Sequence, residues 1–376
     1  MKRTLVLIVS LILVSSWVLA GCQSEPQGET VQPGETQPAT EQETEEEMGD
    51  TLRVLNWQGY GSDEPWAIEQ FEEMYGVKVE HDYITSEEEL LTKMRTSPGV
   101  YDVVLPNIAY LKIAMEEGLL EPIDTTRLEN WDKLMDRFKS LDTIRQGDDV
   151  YGIPWVWGAT AMVYNPEVYP DGINTMNVFW DPAYAGKIGW WDSYEDSTVL
   201  VGIALGDKTP YTPDDLEAVK TKMLELMPNV RTLWTSEDEF DRLWANGDID
   251  LGVFWSGSAS RAQNAMDLPM EFVIPEEGGI GWIDTWSIVK DAPNRAAAYA
   301  FLDYMISSQF YVKWDTEVGA PAPTSQESLD QLPEGAFNRD VMGNEEIVGR
   351  LSWMETVPED ARQAWNQMWE EVKAQQ

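Results

Sequence analysis

The chain has 376 residues, with 67 Asp or Glu against 26 Lys or Arg and a formal net charge of −41. That balance argues against nucleic-acid binding, which needs a basic surface to neutralise phosphates. A single histidine (His81) and a single cysteine (Cys22) remove His-based metal sites, thiolate clusters and disulfides, and make a Ser-His-Asp triad a poor prospect. Against the acidity stand 18 tryptophans. Indole faces and carboxylates both attract positive charge, so the composition points to recognition of a cation without a cofactor.

In chain order, Lys2 and Arg3 precede an apolar run from Leu5 to Val14, and Leu19-Ala20-Gly21-Cys22 follows. The run is too short to span a bilayer comfortably and has the flanks of a secretory signal over residues 1–21. The last four residues look like a bacterial lipobox, in which cleavage leaves Cys22 as a lipidated N-terminus. The only cysteine of the chain falls at that place. Residues 22–50 then form an acidic tether without aromatics, which cannot bury enough surface to offset its ordering entropy. A globular body from Thr51 to Gln376 is therefore expected outside the cytoplasm, lipid-anchored to the cell membrane or in the periplasmic space.

Within the body, Thr51 to Trp57 alternates as a strand and ends at the turn Gly59-Tyr60-Gly61. Pro65 to Tyr75 reads as a helix with Trp66, Ile68, Phe71 and Met74 on one stripe, closed by Gly76. Val77 to Tyr83 is a second strand. Ser86 opens a helix whose Leu90, Leu91 and Met94 face inward, and Tyr101 to Leu105 is a third, buried strand. A helix from Ala109 to Glu117 ends at Gly118. This alternation predicts a parallel sheet with right-handed crossovers. The rhythm restarts with strands Thr160–Tyr164 and Lys187–Trp191, helices Asp214–Met227 and Glu237–Asn246, and strand Ile249–Trp255. Trp282 to Val289 is a further strand, and helices follow over Arg295–Ile306 and Pro358–Lys373. Two α/β lobes crossed more than once by the chain imply a hinge and an interlobe cleft, a geometry that buries small ligands.

Several blocks occur in order: Asn56-Trp57, Tyr101 to Pro106, Ile153-Pro-Trp-Val-Trp-Gly-Ala-Thr160, Leu226 to Val230, Leu251 to Ser258 and Pro275 to Asp284. Together they resemble the bacterial spermidine/putrescine-binding proteins, the extracytoplasmic receptors of polyamine ABC importers, over nearly the whole body. The resemblance implies a two-lobed periplasmic-binding fold, with lobe 1 formed by 51–157 and 283–328 and lobe 2 by 158–282 and 329–376. It also implies a monomer whose partners are a polyamine ligand and ABC permease subunits in the membrane.

In that family the methylene chain lies against aromatic faces and the ammonium groups lie on carboxylates. The matching positions are Trp57, Tyr60, Trp255, Trp282 and Asp284, with Gln58 and Asn107 as further candidate ligand residues. Further acidic ligands fall within Trp190 to Asp196, where Asp196 and also Asp192 or Ser193 take that place. Asp284 lies two residues beyond Trp282, so on a strand both side chains project from one face and could grip one ammonium. The sequence departs from the pattern at Gly59, where relatives carry an acid, and at Ala109 and Ala320, where they carry tyrosines. A glutamine of the family falls near Trp353-Met-Glu355, where Glu355 could restore a charge partner. Those departures leave open a quaternary or other cationic amine, for which an aromatic cage suffices. A secreted glycosidase, also served by tryptophan platforms and carboxylates, is the remote third reading.

Overall fold

A computed structural model describes residues 47–375. The signal segment, Cys22 and the tether up to residue 46 lie outside the described residues. The body begins before Thr51, because Gly49 is tied by two hydrogen bonds to the side chain of Asn294.

The first half runs β1 (Thr51–Trp57), α1 (Pro65–Tyr75), β2 (Lys78–Ile84), α2 (Glu87–Thr96), β3 (Val103–Val104) and α3 (Ile108–Glu116). After the short helix α4 (Asp136–Lys139) and the hairpin β4 (Arg145–Gln146) and β5 (Asp149–Val150) comes the long β6 (Ile153–Tyr164). The chain continues through β7 (Ile188–Trp191), α5 (Tyr194–Ala204), α6 (Leu216–Leu226), β8 (Val230–Trp234), α7 (Glu237–Ala245), β9 (Leu251–Trp255) and α8 (Ser256–Met266). It then forms β10 (Glu271–Val273), β11 (Gly279–Ile288), α9 (Arg295–Met305), α10 (Ser308–Glu317) and β12 (Ala322–Pro323). Three short helices, α11 (Gln326–Gln331), α12 (Phe337–Asp340) and α13 (Glu345–Val348), lead to β13 (Leu351–Trp353) and α14 (Glu359–Lys373).

The main sheet orders its strands β2-β1-β3-β11-β6-β9-β7-β8. Each flank is a parallel trio: β2, β1 and β3 on one side, β9, β7 and β8 on the other. Between them lie β6 and β11, antiparallel to each other and buried along almost their whole length. Burial on both faces explains why these strands read as continuous apolar and aromatic runs rather than as alternating ones. β6 begins at Ile153, seven residues before the expected Thr160, because Trp155 and Trp157 are themselves sheet residues. The buried core divides along these two strands. Ile153, Trp155, Val156, Trp286 and Ile288 pack with β1–β3, α9 and α10, whereas Trp157, Ala159 and Ile283 pack on the other side.

Local chemistry sets the flanking helices. Ser86 caps α2 by accepting from the Glu89 N–H at 3.1 Å, and Gly76 stops α1 with φ of +68°, a conformation that favours glycine. The inward face of α1 is Ala67 and Phe71, with Trp66 and Ile68 at its edges; Met74 points outward, 53% exposed.

One buried acid ties the start of β3 to β1 and to the N-cap of α9. Asp102 accepts the Arg53 N–H at 2.7 Å and the Asn294 N–H at 2.5 Å, and the Asn294 side chain reaches Gly49 and Thr51. Asp102→Ala strands two buried N–H groups, so denaturant unfolding should show a loss of roughly 2–4 kcal/mol. A loss below about 0.5 kcal/mol would show that water satisfies them instead.

Candidate functional site

The β1 strand ends at Asn56-Trp57, and the buried Asn56 shapes the turn that follows. Its amide donates to Ser62 Oγ at 2.9 Å while its carbonyl accepts the Trp57 N–H at 2.7 Å. Gly61 adopts φ of +77° beneath the Trp314 ring, where a Cβ would lie only 2.7 Å away. The turn thereby delivers Tyr60 edge-on against Trp155 and Trp314, with ring centroids 5.7 and 5.8 Å distant. The Tyr60 hydroxyl donates to Asp284 Oδ2 at 2.7 Å.

Asp284 sits where the β11–β6 register shifts, between Asp284 and Thr285. Such irregularities re-aim side chains and end regular pairing. On its other side Asp284 bridges to Asn107, and Asn107 in turn donates its N–H to Glu87 Oε1 at 3.2 Å. Tyr60 and Glu87, distant in sequence, thus both connect to Asp284, the first directly and the second through Asn107. Burial pushes the Asp284 carboxyl up to about 7, against the opposing effect of the Tyr60 hydrogen bond. Glu87 is driven well above the usual carboxylate range by burial and by the charge of Asp284.

Trp282 projects from the same strand, two residues before Asp284, and is buried against Gly158. A Cβ at Gly158 would overlap the indole, so this glycine makes room for the ring. Gly281 similarly lies under Trp353, which packs against Trp157 at 5.8 Å. Trp255 is half-buried at the end of β9, edge-on to Trp191 and Trp234 at 5.0 Å each. The next residue, Ser256, accepts the Ala159 N–H beside Gly158, which links the two indole positions through one backbone corner.

A second acidic group lies on α5. Burial raises Asp196 to about 7 despite its bond with Ser193. Glu195 is raised to about 7 by burial and by the charges of Glu88 and Asp196, with Arg362 and Tyr110 opposing. The Tyr110 hydroxyl donates to Glu88 Oε1 at 2.6 Å and lies 3.3 Å from both Glu195 oxygens, joining α3 to α5. Tyr211, whose buried hydroxyl has no hydrogen-bond partner among the described residues, feels the charges of Asp196, Glu195 and Glu355.

The candidate residues therefore separate. Tyr60, Asn107 and Asp284 come together directly, with Trp282 on the same strand. Asp196 and the exposed Glu355 share the second acidic field. Asp192 instead accepts from Trp369 Nε1 at 2.7 Å and Lys373 Nζ at 3.1 Å, which anchors α14. Ser193 is the N-cap of α5, accepting the Asp196 N–H at 3.2 Å. The Asn107 side chain likewise caps α3, so it is the Asn107 backbone that faces Asp284 and Glu87. Trp57 is half-buried against the first core, and Gln58 is exposed.

Sequence reasoning missed Glu87, Glu195, Tyr211 and Trp353. Glu87 follows a helix cap and reads there as an ordinary first-turn acid. It also missed a buried ion pair near Tyr60: Arg261 grips Glu237 with Nε at 2.8 Å and Nη2 at 2.5 Å, and Ser258 donates to the same carboxylate at 2.6 Å. This fork holds Glu237 below the usual carboxylate range, mainly through the Arg261 charge, although burial opposes it. Among the described residues no group of three or more His, Cys, Asp or Glu is arranged to hold a metal ion. No described helix is long and apolar enough to cross a membrane.

The central strands of this two-flanked sheet thus carry buried acids and indoles. The model of the bacterial extracellular solute-binding proteins matches residues 66–341, and the chain belongs to that family, whose members bind a solute outside the cytoplasm. Its relatives include the spermidine/putrescine-binding periplasmic protein of Salmonella typhimurium, 28% identical over 328 residues (86% of this chain, 92% of that protein). The protein of the same description from Escherichia coli is 29% identical over 310 residues, covering 82% and 87% of the two chains. Among solved structures, the spermidine/putrescine ABC transporter substrate-binding protein of Streptococcus pneumoniae superimposes with a TM-score of 0.74 at 23% identity, covering 87% of this chain and 99% of the other. The Tp0655 lipoprotein of Treponema pallidum gives 0.72 at 21% identity over 86% and 99%. These likenesses establish the two-lobed binding-protein fold.

Proposed function

We propose that this chain is the membrane-anchored receptor of an ABC importer and captures a polyamine of the putrescine or spermidine kind. The observation that carries this reading is Asp284, a carboxylate buried at a strand irregularity and hydrogen-bonded by a neutral hydroxyl. A buried charge without a counter-ion is costly, and a protonated amine supplies that counter-ion. Trp282 and Trp255 offer apolar faces for methylenes, and Asp196 with Glu195 offers a second anionic end. The names borne by the relatives support the same ligand class. Lobe 1 is assigned residues 51–157 and 283–328, and lobe 2 the remainder of the body. The change of core membership along β6 and β11 supports a hinge there. Closure would exclude water and strengthen every charge contact. Cys22 is assigned the lipid anchor, and permease subunits are the membrane partners of a monomeric receptor.

Isothermal titration with putrescine and with spermidine tests the reading. Binding with an affinity well below millimolar is expected, and no heat at millimolar ligand rejects it. Choline serves as the comparison, because a quaternary ammonium has no N–H to give Asp284.

A further inference from the structure

The acid at the start of α2 is unusual for a helix terminus. Glu87 is only 8% exposed, and its two oxygens have different fates. Oε1 accepts the Asn107 N–H at 3.2 Å, which fixes the side chain against the residue that bridges to Asp284. Oε2 is buried and has no hydrogen-bond partner among the described residues. The charges that act on it most strongly come from three elements: Asp284 on β11, Glu88 on α2 itself and Glu195 on α5. All three are acidic. A carboxylate oxygen enclosed without a donor, among other acids, is a poor structural choice, since a glutamine or an apolar residue would avoid the cost.

Beside it, Asp284 is likewise buried, and the Tyr60 hydroxyl occupies Oδ2. Asp284 meets Asn107 through its backbone and Glu87 meets it through its side chain, and the two carboxyls lie close enough for the charge of Asp284 to act on Glu87. A cation entering there needs N–H groups to distribute among several acceptor oxygens. A primary ammonium carries three such donors, whereas a quaternary ammonium carries none.

We infer that Glu87 is a ligand-binding residue of this chain, completing with Asp284 a two-carboxylate seat that selects an N–H-donating ammonium end over a quaternary one. The inference rests on the polyamine reading and extends it to a residue that sequence reasoning did not single out. Because a bound cation favours the ionised form of a carboxyl whose hold on its proton burial strengthens, binding is accompanied by proton release.

The test is calorimetry on the purified body of the receptor, titrating putrescine and choline into wild type, Glu87→Gln and Asp284→Asn. Wild type should prefer putrescine to choline. Glu87→Gln should weaken putrescine at least tenfold and shrink the preference over choline. It should also release fewer protons on binding, read by repeating the titration in two buffers of different ionisation enthalpy. Its ligand-free melting temperature should be unchanged or higher, which a merely structural role would not produce. If Glu87→Gln unfolds the protein, Glu87→Asp, which keeps the charge but draws it back by one methylene, is expected to weaken putrescine in the same direction. Putrescine affinity within twofold of wild type in Glu87→Gln, or in Glu87→Asp when that variant has to stand in, while Asp284→Asn loses binding, would overturn the role of Glu87 and leave the polyamine reading standing. Absence of binding to wild type itself would overturn both.

Discussion

Asp284→Asn should lower putrescine affinity at least tenfold and raise the stability of the ligand-free protein. Asparagine is nearly isosteric with aspartate, so the packing around β11 and the hydrogen bond from Tyr60 can both survive. What disappears is the negative charge. A hydrogen bond to a charged group contributes roughly 1.5–3 kcal/mol, and each 1.4 kcal/mol is about tenfold in affinity, so a loss of about ten- to a hundredfold is the expected range. The same change removes the cost of enclosing a carboxylate whose pKa is already pushed to about 7 by burial. Calorimetry measures the first effect and thermal melting the second. Their opposite signs distinguish a binding carboxylate from a structural one, whose replacement would lower the melting temperature. Unchanged affinity would remove the central residue of the proposed site.

Much of this framework was legible before any coordinates. The β1-α1-β2-α2-β3 series follows from alternation, a proline at a helix start, a serine cap and a glycine stop, and these are local signals that tertiary packing merely completes. Helices α5 and α8 were not anticipated, for different reasons. The α5 helix is buried on most sides, so Val199 to Ile203 present no polar face to reveal a helical period. The α8 helix begins Ser256-Gly257-Ser258-Ala259-Ser260, a run of small residues in which only Ala259 favours a helix, and Gly257 packs directly against Pro321. At the site, the spacing of Trp282 and Asp284 was enough to place both on one strand face. The run Asp192-Ser193 was misleading because position in a motif does not say where a side chain turns: one residue anchors α14 and the other caps α5. Glu277 shows the same limit. It reads as a solvated turn, yet it accepts from Thr175 Oγ1 at 2.5 Å and the Met176 N–H at 3.0 Å. Glu87 could be found only from the fold, since a lone first-turn glutamate carries no sequence mark of burial.

The ligand-free protein should be most stable in mild acid and should lose melting temperature as the pH rises from about 4 to 7. Burial holds Asp284, Asp196, Glu195 and Asp241 at about 7 in the folded chain, with like charges adding to the effect at Glu195 and Asp241. A carboxyl whose folded pKa exceeds its unfolded value is favoured in its protonated form by folding. Its stabilising contribution is therefore complete below about 4 and is lost as the pH climbs through 7. For a fully buried group such as Asp284 this amounts to roughly 4 kcal/mol at most. Carboxylates held low by their partners, such as Asp82 beside Tyr101 and Glu117 beside Arg95, act the other way, but only as the pH falls into the ordinary carboxylate range. The two sets leave a maximum near pH 4–5 and a fall on the order of 5–10 °C toward pH 7.5. A bound polyamine should flatten that fall, because its ammonium groups favour the ionised carboxylates, so the ligand-induced rise in melting temperature should itself grow with pH. Melting curves with and without putrescine across this range, on wild type and Asp284→Asn, separate the site from the general acidity of a chain with a net charge of −41. If the variant retained the full pH slope and the ligand shift did not grow with pH, the loss would belong to the surface charge and not to these buried acids.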